Sequence, residues 1–203
     1  MLIVGLTGSI GMGKSTAADY LRGKGIPVLD ADAVVHRLYE GEAVAPIEAA
    51  FPGTTVDGTV DRGKLSASLI AAPSRFAELE AIVHPLVRAA ERAWLQEQAA
   101  QGTPVAVLEI PLLFETGGDA LVDATIVVSA APELQKARLL KRGLAPEKLD
   151  SLLARQIPDA DKRARADFVV DTSGEISASQ AQLDEILAAL KGREATAFAR
   201  SWA

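Results

Sequence analysis

The chain has 203 residues, a formal net charge of −6 and no cysteine. Hydrophobic residues make up 49% and charged residues 24%, the balance of a folded globular protein, so wholesale disorder is excluded. Without cysteine there is no disulfide scaffold, no thiolate-ligated metal and no thiol nucleophile, and the two histidines, His36 and His84, leave little for a His-rich metal site or a Ser-His-Asp triad.

Residues 2–6 form a short apolar run of the kind that makes a buried parallel strand. A glycine-rich turn follows, then a predicted helix from residue 14 to about residue 24, ended by Gly25, and a second strand at residues 26–29. Together these make a βαβ unit. From about residue 34 to residue 101 the periodicity is mostly helical. Val83, Val87, Ala90 and Trp94 share one helical face, and Leu65 and Leu69 share another. His84-Pro85 reads as a helix start, because the residue before a proline is pushed out of the helical region. Residues 51–60 are rich in Gly, Pro, Thr and Asp, with a tight-turn signal at Asp57-Gly58. Strands return at residues 105–110, 124–128 and 168–170, and a last helix carries Leu183, Ile186, Leu187 and Leu190 on one face. The expected architecture is a five-stranded parallel α/β core flanked by helices and built from both chain ends, with a helical insertion between them. The longest apolar stretches, at residues 105–108 and 126–128, fall far short of the roughly 20 residues of a spanning helix. No basic run precedes the first apolar segment, so no membrane association and a cytoplasmic location are expected.

Gly8-Ser9-Ile10-Gly11-Met12-Gly13-Lys14-Ser15 matches the pattern G-x-x-x-x-G-K-[ST]. Glycines allow backbone conformations in which successive N–H groups converge on phosphate oxygens, and the new helix points its positive end at the same anion. Lys14 supplies a mobile cation for the β- and γ-phosphates, and the Ser15 hydroxyl suits a magnesium shell. A nucleoside triphosphate site is therefore expected at Gly8, Gly11, Met12, Gly13, Lys14, Ser15 and Thr16. Asp30 and Asp32 follow the second strand, at the sheet edge where open α/β sheets bind ligands. Two readings stand side by side: a carboxylate that takes the proton of an attacking hydroxyl, or a cap for a helix over residues 33–39. His36 lies one helical turn after Asp32, so the two can meet.

Residues 136–165 carry nine of the 21 basic residues and a local charge of +5, against −11 for the rest of the chain. Such a segment suits phosphate charge, although any single basic side chain in it reads more readily as a solvated helix face.

The chain resembles the dephospho-CoA kinases. The resemblance is carried by the loop from Leu6 to Thr16, by Val28-Leu29-Asp30-Ala31-Asp32 with His36, and by Val60-Asp61-Arg62 with Leu65. Val83-His84-Pro85-Leu86, Ile110-Pro111-Leu112-Leu113-Phe114-Glu115, Arg138 with Arg142-Gly143, Arg155-Gln156 and Ala166-Asp167 continue it, in family order, to about Gly174. The resemblance implies a P-loop kinase fold with a core at residues 1–35 and 103–203, a lid at about 138–165 and a mainly helical acceptor-binding insertion at 36–102. It implies transfer of the ATP γ-phosphate to the ribose 3′-hydroxyl of dephospho-CoA with magnesium, the last step of coenzyme A synthesis. Asp32 is then the expected base, and Lys14 and Arg142 act with it. Arg138 and Arg142 are placed on the nucleotide, with Gly143 as a hinge and Arg155 as a further candidate. His36, Arg62, His84 and Glu115 are placed on the acceptor side with Asp32. Ser15 and Glu109 are placed at the metal, although the family often has Asp where Glu109 stands. The family also often has an Asn before the glycine that follows the last strand, where this chain has Thr172-Ser173-Gly174. The expected partners are the two small substrates, with no nucleic acid, in a monomer or weak homo-oligomer. The alternatives are a P-loop kinase for another small acceptor and a nucleotide-dependent regulatory switch.

Overall fold

The apolar run at the start of the chain forms β1 (Leu2–Thr7), every residue of which is buried. The computed structural model describes residues 1–143 and 156–203, and the described chain divides into a unit of Met1–Leu29 with Leu95–Ala203 and a unit of Asp30–Trp94. The remaining strands are β2 (Val28–Asp30), β3 (Thr55–Val56), β4 (Thr59–Val60), β5 (Val105–Glu109), β6 (Ala124–Ser129) and β7 (Phe168–Asp171).

In the first unit the five-stranded parallel sheet has the order β2-β5-β1-β6-β7. β1 lies between its neighbours, with Leu6 opposite Glu109 of β5 and Ile126 of β6. Helices cover the sheet, which is why its central strands are continuously apolar rather than alternating. The flanking helices are α1 (Lys14–Gly23), α6 (Pro132–Lys141), α7 (Asp159–Arg165) and α8 (Ile176–Leu190). Val4, Leu6, Val107, Ile126 and Val128 of the strands pack with Leu21 of α1 and with Leu183, Ile186 and Leu190 of α8. Asp167 ties β7 to β6 by accepting from the Thr125 N–H and hydroxyl, both at 2.9 Å. Its other oxygen pairs with Arg193. The sequence reading stops at the amphipathic pattern of α8. The chain then makes a last helical turn that buries Trp202, whose Nε1 donates to the Leu121 carbonyl at 2.7 Å.

The second unit comprises α2 (Ala31–Leu38), α3 (Val44–Ala50), the β3–β4 hairpin, α4 (Arg62–Ala71) and the first part of α5 (Phe76–Ala100). Its core is Val34, Leu38, Ile47, Phe51, Leu65, Leu69 and Val83. Asp57 and Gly58 have φ of +48° and +79°, the pair of left-handed residues that a two-residue hairpin turn needs. The insertion is therefore helical with a small antiparallel ribbon inside it. No described helix is long and apolar enough to cross a membrane.

One boundary departs from the sequence reading. His84-Pro85 does not start a helix: α5 begins at Phe76 and runs through Pro85. Proline removes one helical N–H and crowds the carbonyl four residues earlier, a cost of ~3 kcal/mol in a helix interior. That carbonyl belongs to Ala81, and Ala81, His84 and Pro85 are all exposed, so water can take the freed acceptor. Buried Val83 and Leu95 hold the helix on either side.

Farther along α5, Glu91 is 2% exposed and pairs with Arg88 at 3.1 Å. Burial pushes its pKa above the ordinary 4.5, and the nearby Arg88 guanidinium only partly opposes this. The folded state then holds this proton more tightly than the unfolded chain. Its contribution to stability is full below pH 4.5 and is lost as the pH rises through the raised value. Thermal unfolding of Glu91→Gln beside the parent, over about pH 4 to 8, should show the parent losing ground as pH rises. A gap that stays constant with pH would contradict this.

Candidate active site

The glycine-rich turn joins the end of β1 to the start of α1. A Cβ on Gly8 would lie 2.4 Å from Val128 Cγ2 and 2.6 Å from the Val128 carbonyl oxygen, so only glycine lets the loop pass this close to β6. Gly13, with φ +94°, sits at the N-cap of α1 in the left-handed region. The Ala17 N–H bonds the Gly13 carbonyl, so the N–H groups of Lys14, Ser15 and Thr16 have no acceptor within the helix.

The outer side of the loop is tied down through its carbonyls. Gln135 Nε2 donates to Ile10 O at 2.7 Å, and the Thr172 hydroxyl donates to Met12 O at 2.7 Å. Arg138 donates to Thr172 O at 2.6 Å and to Gly11 O at 3.5 Å. Met12 is buried, and its Sδ accepts from the Ala130 N–H at 3.1 Å. With its carbonyls held from behind, the loop keeps its amide edge organised for an anion.

At the end of β5 the Glu109 carboxylate is 2% exposed and lies between two cations. Lys14 Nζ is 2.8 Å from Oε1, and Arg22 Nη2 is 3.3 Å from Oε2. Ser15 and Thr16 are exposed at the first turn of α1. Beside the loop is a cleft of about 480 Å³, lined by Gly11, Gly13, Thr16, Arg142, Thr172 and Ile176 among others. Arg142 is exposed at the C-cap of α6, and Gly143, with φ +79°, ends that helix.

In the second unit the two aspartates divide the readings left open above. Asp30 is the N-cap of α2 and accepts from the N–H groups of Asp32 and Ala33 at 2.8 and 3.2 Å. The Asp32 side chain, one position into the helix, is exposed and takes no hydrogen bond from any described residue. No bond joins Asp32 to His36. His36 instead meets Arg62, whose Nη1 lies 2.7 Å from its Nε2. Since guanidinium only donates, Nε2 accepts, and the ring proton resides on Nδ1. Asp61 caps α4 through the N–H groups of Gly63 and Lys64. His84 is exposed on α5 without a described partner.

Glu115, expected on the acceptor, faces inward. Its side chain is 13% exposed, with Lys162 Nζ 2.9 Å from Oε1, and the same oxygen accepts from the Ile157 N–H at 3.0 Å. Both contacts anchor the carboxylate to the chain on either side of α7's start. Lys162 is fully buried. The basic segment as a whole is not one surface. Arg138, Lys162 and Arg165 are held by the chain's own carbonyls and carboxylates, whereas Lys136, Lys141, Arg142 and Arg163 face solvent. Lys148 and Arg155 lie outside the described residues, as do Glu147 and Asp150. Of residues 111–114, Leu113 and Phe114 are buried, and Leu113 lies against Gly5. Sequence reasoning missed Arg22 and Thr172 as site residues. Neither carries a motif signal, because their partners lie 87 and 160 positions away along the chain.

The family model described as dephospho-CoA kinase matches residues 2–178. A dephospho-CoA kinase of Rhodopseudomonas palustris is 57% identical over 92% of this chain and 94% of its own length. One of Rhizobium meliloti is 56% identical over 92% of this chain and 97% of its own. Among solved structures, a Thermus thermophilus protein superposes with a TM-score of 0.82 at 38% identity, covering 94% of this chain and 98% of that one. The dephospho-CoA kinase from Campylobacter jejuni shares the fold with a TM-score of 0.71 at 24% identity, covering 93% of this chain and 96% of that one.

Proposed function

The chain belongs to the dephospho-CoA kinase family, and from that premise we propose a role for each residue of the candidate site. The protein phosphorylates dephospho-CoA with ATP, giving coenzyme A and ADP, the last step of coenzyme A biosynthesis. The observation that carries the residue assignment is the division of labour between Asp30 and Asp32: one carboxylate is used up as a helix cap, and the other has no partner among the described residues.

Asp32 accepts the proton of the acceptor's ribose 3′-hydroxyl as that oxygen bonds the γ-phosphorus. The bond from the γ-phosphorus to the bridging oxygen breaks, and ADP leaves with the electron pair. The loop from Gly8 to Thr16 cradles the phosphates through its amides, apart from those of Ile10 and Met12, which bond Gln156 Oε1 and Ser9 O, and Lys14 leaves Glu109 to meet the β- and γ-oxygens. Arg142, exposed and free to reorient, answers the charge on the transferring group. Arg138 serves the nucleotide indirectly, by fixing Gly11 and Thr172. The cleft beside the loop receives the nucleoside. On the acceptor side, Arg62 presents a guanidinium steadied by His36, and His84 offers a ring nitrogen. Glu115 holds the chain beyond Gln156 in place.

Magnesium fits the oxygens present. The Ser15 hydroxyl and the Glu109 carboxylate are hard donors at the loop and at the end of β5, and both would hold the ion, Glu109 through water. When bound, the ion neutralises charge on the β- and γ-phosphates.

Incubation with ATP, magnesium and dephospho-CoA should form ADP and coenzyme A one for one. ADP formed without regard to acceptor, or turnover with a different acceptor only, would overturn the reading. Lys14→Ala should weaken ATP binding by about ten- to a hundredfold, as expected for losing a charged hydrogen bond, and lower turnover as well. Calorimetric titration with ATP checks the first effect, and an unchanged affinity would remove Lys14 from the phosphate.

A further inference from the structure

On the reading of Lys14 as the phosphate cation, its ammonium is drawn away from Glu109, with which it now pairs at 2.8 Å. When its ammonium moves to the nucleotide, the carboxylate at the end of β5 loses the partner of its Oε1, yet remains 2% exposed. A buried carboxylate without a cation or hydrogen bonds is strongly disfavoured. The second oxygen still has one: Arg22 Nη2, at 3.3 Å. Arg22 is itself steadied, since its Nη1 lies 2.8 Å from Asp19 on the same helix. Asp19 and Arg22 are both on α1, the helix that the phosphate loop opens, so the chain from Asp19 through Arg22 to Glu109 is anchored in the same element as Lys14 and Ser15.

Glutamate has one more rotatable bond than aspartate. A free glutamate would spread its carboxylate over several rotamers, and fixing one costs conformational entropy. A cation on Oε2 removes that freedom and leaves Oε1 directed at the loop, where Lys14 Nζ now stands. We propose that Arg22 is a positioning residue for the kinase reaction: it clamps the distal oxygen of Glu109, so that the other oxygen passes from Lys14 to the hydration shell of nucleotide-bound magnesium without losing its direction. This rests on the reading of Glu109 as the acidic residue at that ion. Arg22 touches neither substrate; it acts through Glu109.

The test is the affinity of the protein for ATP by calorimetry, with magnesium and then with the metal chelated away, for the parent and for Arg22→Met, Arg22→Lys, Glu109→Gln, Glu109→Asp and Glu109→Asp/Arg22→Met. Arg22→Met should weaken the magnesium-dependent part of ATP binding roughly tenfold, the size expected for loss of a group that orients a metal-site ligand. Metal-free binding should stay near the parent value. Arg22→Lys should restore part of the loss, because an ammonium can still pair with Oε2. The same Arg22→Met change should do little when added to Glu109→Asp, whose shorter stem needs no clamp. Steady-state kinetics should show a higher half-saturating magnesium concentration for Arg22→Met, with the KM for dephospho-CoA unchanged. Equal weakening with and without metal would make Arg22 merely structural and overturn the proposal, as would an unchanged magnesium dependence. If Glu109→Gln also leaves that dependence intact, the reading of Glu109 falls and the proposal falls with it. If Glu109→Gln abolishes it while Arg22→Met does not, the clamp alone is refuted.

Discussion

Asp32→Asn should lower turnover at saturating substrates by about 10²- to 10⁴-fold, the usual contribution of a positioned general base, while ATP binds as before. The exchange is nearly isosteric and removes only the ability to take a proton. The fold has little reason to object. The Asp32 side chain is exposed and engages no described residue, and the cap of α2 is supplied by Asp30. Asp30→Ala is the natural companion. It removes two cap hydrogen bonds and should cost about 0.5–2 kcal/mol of stability, with a far smaller effect on turnover than Asp32→Asn. Steady-state kinetics and thermal unfolding of both variants separate the roles. Near-normal turnover in Asp32→Asn would remove the base assignment, and a collapse of stability in that variant would show that Asp32, too, serves the fold.

The largest loss of stability is expected from Lys162→Met. Lys162 is fully buried on α7, 2.9 Å from Glu115 Oε1 but off the direction a hydrogen bond needs, so the contact is an ion pair. Around it are two carboxylates that are only half satisfied. Glu115 Oε2 and Asp159 Oδ1 have no hydrogen-bond partner among the described residues, although Asp159 Oδ2 accepts from the Ser129 hydroxyl at 2.6 Å. Methionine fills the same space and removes the charge. Breaking a buried pair from one side costs about 3–5 kcal/mol, because the remaining charge is left uncompensated. For a chain of this size that lowers the unfolding midpoint by about 6–20 °C. Adding Glu115→Gln should recover much of the loss, since the stranded carboxylate goes with it. Chemical denaturation of the two single variants and the double variant gives the coupling directly. A single variant within about 1 kcal/mol of the parent would show that water already compensates the buried charges.

Local pattern made much of this molecule legible. The glycine spacing from Gly8 to Gly13, followed by Lys14 and Ser15, placed the phosphate loop without any tertiary knowledge, because the backbone shape it needs is a property of consecutive residues. The five core strands were readable as apolar runs, and Asp57-Gly58 announced its hairpin. Pro85 misled for a physical reason. A proline's local preference against helix interiors was outweighed by packing on both sides of it and by solvent at the exposed Ala81 carbonyl. Asp30 and Asp32 could not be told apart from spacing, since both stand where a helix begins and the choice depends on which side chain turns back onto the N–H groups.

Sequence alone thus determined the elements, the phosphate loop and the family, all of which rest on neighbouring residues or on motifs in chain order. Tertiary structure alone decided who partners whom among the charges. Lys14 and Arg22 share Glu109, Arg138 fastens the loop rather than facing solvent, and Lys162 lies buried against Glu115 in a segment whose charge reads as suited to phosphate. The physical reason is reach and range. A backbone conformation is set within a few residues, whereas an ion pair forms between side chains that the fold brings together from positions 47 to 95 residues apart.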